Sequence, residues 1–138
     1  MKIVLKLCLV CVLMISFISA AILYAQIFPK GIFLSAKEVE KRWGSKPLNA
    51  AEFKKGNSLI RAPMAASILK EKSLIGKTNA EIWELLGRHD GYYFSDLIPA
   101  YVIEDNSMKG GDVWQIVFFL DRNDYIKSIK VHKNGSEY

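Results

Sequence analysis

The chain of 138 residues has only two cysteines, Cys8 and Cys11, and none beyond. Both fall in an apolar leading stretch, so the remainder can hold neither a disulfide nor a Cys-ligated zinc ion and depends on packing for stability. Glycine-rich phosphate loops and nucleophile-elbow serines are missing, as are internal repeats and low-complexity tracts. The net charge of +5 is scattered rather than clustered. Lys41-Arg42 and Lys54-Lys55 are the adjacent basic pairs, and each sits among acidic neighbours. That pattern lacks a nucleic-acid footprint.

Long apolar runs are confined to the N-terminus. Residues 7–28 are apolar apart from Ser16, Ser19 and Gln26, and they follow Lys2 and Lys6. This is the charge order of an export signal. As a helix the run would rise about 33 Å at about 1.5 Å per residue, enough to cross a hydrocarbon core of about 30 Å. Ser19-Ala20-Ala21 and Ala25-Gln26 also offer small-residue cleavage sites. Residues 1–28 are therefore read as a signal peptide or a single-span membrane anchor. Both readings place the rest of the chain outside the cytoplasm, in the periplasm. Cys8 follows Leu7 and Cys11 follows Val10, too early and without the small residue that lipidation requires.

The exported part reads as helices followed by strands. Ser35 and Glu38 form a capping box that starts a helix running to Trp43 and stopping at Gly44, with Leu34 placed to staple onto Val39. Residues 45–58 read as a connector with one helical turn after Asn49. A second helix is expected over residues 62–72, with Pro63 in its first turn. A turn at Gly76, where glycine can take positive φ, precedes a second capping box, Thr78 with Glu81. The helix it opens runs from Asn79 to Leu86, and Ile82, Leu85 and Leu86 share one face. Strands are expected over residues 100–104, 113–121 and 125–133. In the middle one, Trp114, Ile116, Phe118 and Leu120 face one way, and Val113, Gln115, Val117 and Phe119 the other. Apolar residues on both sides imply a central strand covered on both faces. The expected fold is α+β: two to three helices on a three-stranded antiparallel meander.

Candidate chemistry is sparse. His89-Asp90 pairs an imidazole with an acid, as proton transfer requires, but neighbours in a loop seldom aim at one atom, and a solvated turn is the simpler reading. His132 is expected on the outer face of the last strand. Asp121, Asn123 and Asp124 supply oxygens of the kind calcium takes, yet the spacing is that of a tight turn. No metal, cofactor or catalytic residue is assigned. Tyr92-Tyr93-Phe94 stands apart, because three successive aromatics cannot all point inward and exposed aromatics favour interfaces. These three residues are the candidate binding site.

The run Gly76-Lys77-Thr78-Asn79-Ala80-Glu81-Ile82-Trp83-Glu84-Leu85-Leu86-Gly87 resembles the G-x-[ST]-x-x-E-[VI]-x-x-L-L-G signature of the SmpA/OmlA (BamE-like) small envelope proteins. The resemblance covers residues 60–133, with Tyr101, the Trp114 strand and the 121–124 turn in matching order. It departs in two places. The lipid-modified cysteine of that family is absent, and Arg88-His89-Asp90 stands where a proline is usual. The resemblance implies a non-catalytic domain, residues 59–138, preceded by a helix and connector over 29–58, that binds protein partners or membrane lipid. The alternative from another class is a small inhibitor or immunity-type protein acting on an extracytoplasmic enzyme. A third is an envelope hydrolase with His89 as base.

Overall fold

Two capping boxes open the first and last helices. The structure, a computed structural model, describes residues 32–134. The expected signal or anchor over residues 7–28 lies outside the described residues. Helix α1 (Ala36–Trp43) starts where the Ser35 side chain accepts from the Glu38 N–H and the Glu38 carboxylate accepts from the Ser35 N–H. It ends at Gly44. Asn49 caps α2 (Ala50–Lys55), the turn of helix expected in the connector.

The expected helix over 62–72 is instead a broken run that begins earlier. Helix α3 (Ser58–Arg61), capped by Asn57, passes into a 3₁₀ turn (Ala62–Met64) and then α4 (Ala65–Lys70). Asn57 starts it because its side-chain oxygen accepts from the Leu59 and Ile60 N–H groups. Pro63 then falls inside the run, in the first turn of the 3₁₀ segment, where its missing N–H is tolerated. After a second 3₁₀ turn (Lys72–Leu74), Gly76 adopts φ +81° and Thr78 with Glu81 closes the second capping box of α5 (Asn79–Leu86).

The sheet has four antiparallel strands, not three. Strands β2 (Ala100–Asp105), β3 (Val113–Leu120) and β4 (Ile126–Asn134) form the expected meander. A short strand, β1 (Ile32–Leu34), adds to the outer edge of β4, giving the order β1-β4-β3-β2. Three residues are too few to show a period, and Leu34 reads equally well as a helix staple. The turn at 121–124 is a hairpin in which the Asp121 carboxylate accepts from the Asn123 and Tyr125 N–H groups, while Asp124 takes φ +62°.

The core lies between the helices and one face of the sheet. Val39, Phe53, Met64, Ile68, Ile82 and Leu86 meet Tyr101, Ile103, Ile116, Phe118 and Val131 there, all buried. The expected apolar face of α5 needs one correction. Ile82 and Leu86 are buried, but Leu85 is 36% exposed. It lines an open groove with Ala51 and Lys54 of α2, because α2 lies alongside α5 and only part of the helix stripe is turned into the core. At the β2 side, Arg42 of α1 stacks over the Trp43 and Trp114 rings at 4.8 and 4.7 Å and donates to Glu104 at 2.7 Å. The Trp43 indole N–H donates to the same carboxylate, which ties α1 to the sheet.

Candidate binding surface

The face of the sheet turned away from the helices is built by strand alternation. Cross-strand pairing places Val102, Gln115, His132 and Phe33 in one row across all four strands. Ala100, Val117 and Lys130 form the next row, and Phe119 pairs with Ser128 beyond it. Gln115 and Val117 are fully buried, so something must cover this face. The cover is the loop over residues 88–99.

Backbone contacts hold that loop down. Gly91 donates to the Ala100 carbonyl at 2.8 Å, and a Cβ at Gly91 would fall 2.5 Å from the Gln115 side-chain oxygen, an approach that only glycine allows. Gln115 accepts from the Tyr92 N–H at 3.2 Å and donates to the Tyr92 carbonyl at 2.8 Å. Its second donor contact is Asn134 at 3.1 Å, so the buried amide is well satisfied. One residue before Gly91, Asp90 bonds Arg61 and the Val102 N–H.

The candidate trio divides by position. Tyr92, pinned by its backbone, leaves its side chain 58% exposed. Tyr93 is half-buried, with its ring edge-on to Phe119 at 5.1 Å and to His132 at 4.8 Å. Burial pushes its hydroxyl above the usual tyrosine range. Phe94 packs edge-on to Tyr93 at 4.8 Å and is 74% exposed. The Ser95 N–H donates to the Tyr93 carbonyl at 2.7 Å, closing a three-residue turn around Phe94, whose φ is +57°. This is the strained hand of the γ-turn, adopted here by a bulky side chain that projects.

Phe33 completes the surface from β1. Its ring lies 5.0 Å from His132 and 6.2 Å from Phe119, and it is 40% exposed. The Lys130 ammonium stands 4.9 Å over Phe33 and 5.8 Å over Phe119. A continuous aromatic patch thus runs from Phe33 through His132, Phe119 and Tyr93 to Phe94, with Lys130 over its Phe33 end. Leu97, further along the loop, is also exposed.

The two histidines take separate places. His132 lies on the outer face, as expected, but is buried beneath Phe33 and Tyr93, with Nδ1 unpartnered among the described residues. Desolvation holds its pKa below the ordinary 6.5, outweighing the opposing effect of the nearby Asn134 side chain. His89 Nδ1 accepts from the Trp83 indole at 3.1 Å, and desolvation lowers its pKa also. Its neighbour Asp90 is committed to Arg61 and Val102, so His89 and Asp90 do not form a proton-transfer pair. Asp90 is thereby more than a solvated turn residue. No group of side chains suited to a metal ion occurs among the described residues.

Against family models, curated proteins and solved structures, the chain has no match. The assignment of this surface therefore rests on its geometry. Sequence reasoning named the loop aromatics but missed Phe33, Gln115 and His132 as their supports. Gln115 carried a signal: a lone amide amid alternating large apolar residues marks a face covered by backbone, which needs a polar partner.

Proposed function

We propose that the chain is a non-catalytic binding domain of the cell envelope, working outside the cytoplasm as an accessory to an assembly or to the membrane itself. The observation that carries this reading is the exposed aromatic patch on the sheet's outer face. Exposed rings in a contiguous, well-supported cluster suit recognition, since they bring large contact area with little side-chain entropy to lose. The projection of Phe94 at a strained φ adds weight, because such strain is retained where a side chain must be presented. The export-type leader supports the compartment. The order of α4, α5, β2, β3 and β4 is also the order implied by the resemblance to SmpA/OmlA-type proteins.

Affinity capture of the full chain from chemically crosslinked envelopes tests the reading. A reproducible protein or lipid partner is expected with the parent chain, reduced at least fivefold by Phe94→Ser. Capture of nothing, or equal capture by the variant, overturns it.

A further inference from the structure

The position of the patch in the chain points to the chemistry of its partner. Only Pro29, Lys30 and Gly31 stand between Phe28, the end of the apolar run, and β1. Phe33 is five residues past Phe28, at most about 17 Å of fully extended chain. If residues 7–28 cross a bilayer, Phe33 cannot leave the neighbourhood of its surface, and Phe33 is one end of the patch.

The patch also has the composition of an interfacial surface. It presents projecting rings rather than a concave groove, and a bilayer interface accepts such rings without a matching pocket. Lys130 lies with its ammonium over the Phe33 and Phe119 rings, where it can extend toward phosphate while its stem stays on apolar surface. Tyrosine collects at the membrane-water boundary, and phenylalanine beside lysine is a pairing that interfacial surfaces use. Tyr92 adds a ring with a polar tip at the same loop. Asp96, exposed two residues beyond Phe94, limits the contact to headgroup depth, because an unpaired carboxylate does not enter hydrocarbon.

We infer that the aromatic face formed by Phe33, Tyr93, Phe94 and Phe119 docks on the phospholipid interface of the bilayer that retains residues 7–28. This rests on the reading of the outer face as the recognition surface and names its partner.

The test places photoactivatable benzoylphenylalanine at position 94 of the full chain, and in a second variant at position 59, an exposed site on α3. Cell membranes are irradiated and the adducts are identified by mass. Phospholipid adducts at position 94, at least fivefold more abundant than at position 59, are expected. Protein adducts alone at position 94 overturn the lipid inference and leave the recognition surface standing. Absence of any adduct at position 94 overturns both. Equal lipid labelling at the two sites, or a mature chain recovered free of membrane without residues 1–28, overturns the lipid inference. A third variant labelled at position 33 guards against a local effect of the Phe94 turn, and must repeat the lipid labelling.

Discussion

Arg61 donates from Nη1 to Oδ2 of Asp90 at 2.6 Å, and the other oxygen of the same carboxylate accepts from the Val102 N–H at 3.1 Å. Arg61 is buried, its Nε donates to the Phe53 carbonyl, and its guanidinium lies over the Phe53 and Tyr101 rings. One carboxylate therefore joins α3, the edge of β2 and the start of the loop that carries the aromatic patch. Asp90→Ala strands the Arg61 cation and frees the loop. Because Asp90 is itself half exposed, water can re-enter, and the expected cost is about 1.5 to 3 kcal/mol. Thermal unfolding measures it, and amide exchange at Gly91 and Val102 should accelerate. Unchanged exchange there would show that the loop is held by Gln115 alone.

Helix α5 separates three kinds of contribution. Thr78→Ala removes the acceptor for the Glu81 N–H and is expected to cost about 0.5 to 2 kcal/mol. Leu86→Ala deletes a fully buried side chain and is expected to cost about 2 to 5 kcal/mol. Leu85→Ala, at the open groove, is expected to cost less than about 1 kcal/mol. Denaturant titration ranks the three, and a Leu85 effect as large as that of Leu86 would contradict the observed rotation of the helix.

Phe94 offers a test of stored strain. Glycine takes positive φ without the penalty a side chain meets, and the exposed ring contributes little packing. Phe94→Gly is expected to leave stability unchanged or to raise it by about 1 kcal/mol, while phospholipid labelling from benzoylphenylalanine at the exposed neighbouring position 92 falls. Calorimetry together with photocrosslinking of the full chain in membranes reads both. A clear drop in melting temperature would mean that the ring holds the loop rather than presents it.

The buried His132 makes stability depend on pH in a stated direction. Its folded pKa lies below the ordinary 6.5 because burial disfavours the imidazolium. Above 6.5 both folded and unfolded chains are neutral there. Between 6.5 and the lowered folded value, the unfolded chain binds a proton that the folded chain refuses, so stability is lost as pH falls. His89, lowered for the same reason, acts in the same direction. The melting temperature is expected to drop from about pH 7.5 to about pH 5.5, and His132→Phe is expected to flatten that slope. An unchanged slope in the variant would assign the dependence elsewhere.

Local signals in the chain were sufficient for local structure. Ser35 with Glu38 and Thr78 with Glu81 mark their helix starts because a capping box is satisfied within four residues. The turn at Asp121 and the β3 alternation are equally self-contained. Where a boundary depends on competition between neighbours, local signals are insufficient: Asn57 caps the broken helical run earlier than Pro63 suggests. The strand β1 was illegible because a three-residue strand exists only through its partner, β4.

For the candidate surface, the sequence alone determined that Tyr92, Tyr93 and Phe94 cannot all be inward, since consecutive side chains diverge whatever the backbone does. Tertiary structure decided which of them projects and what stands beneath. Phe33 and His132 are far apart in sequence and become cross-strand neighbours only through the β1-β4 register, and Gln115 meets Tyr92 only because Gly91 lets the loop approach the sheet. Long-range pairing is the reason. A capping box encodes its own geometry, whereas a patch assembled from an edge strand, two further strands and a loop takes its form from contacts that exist once the chain has folded.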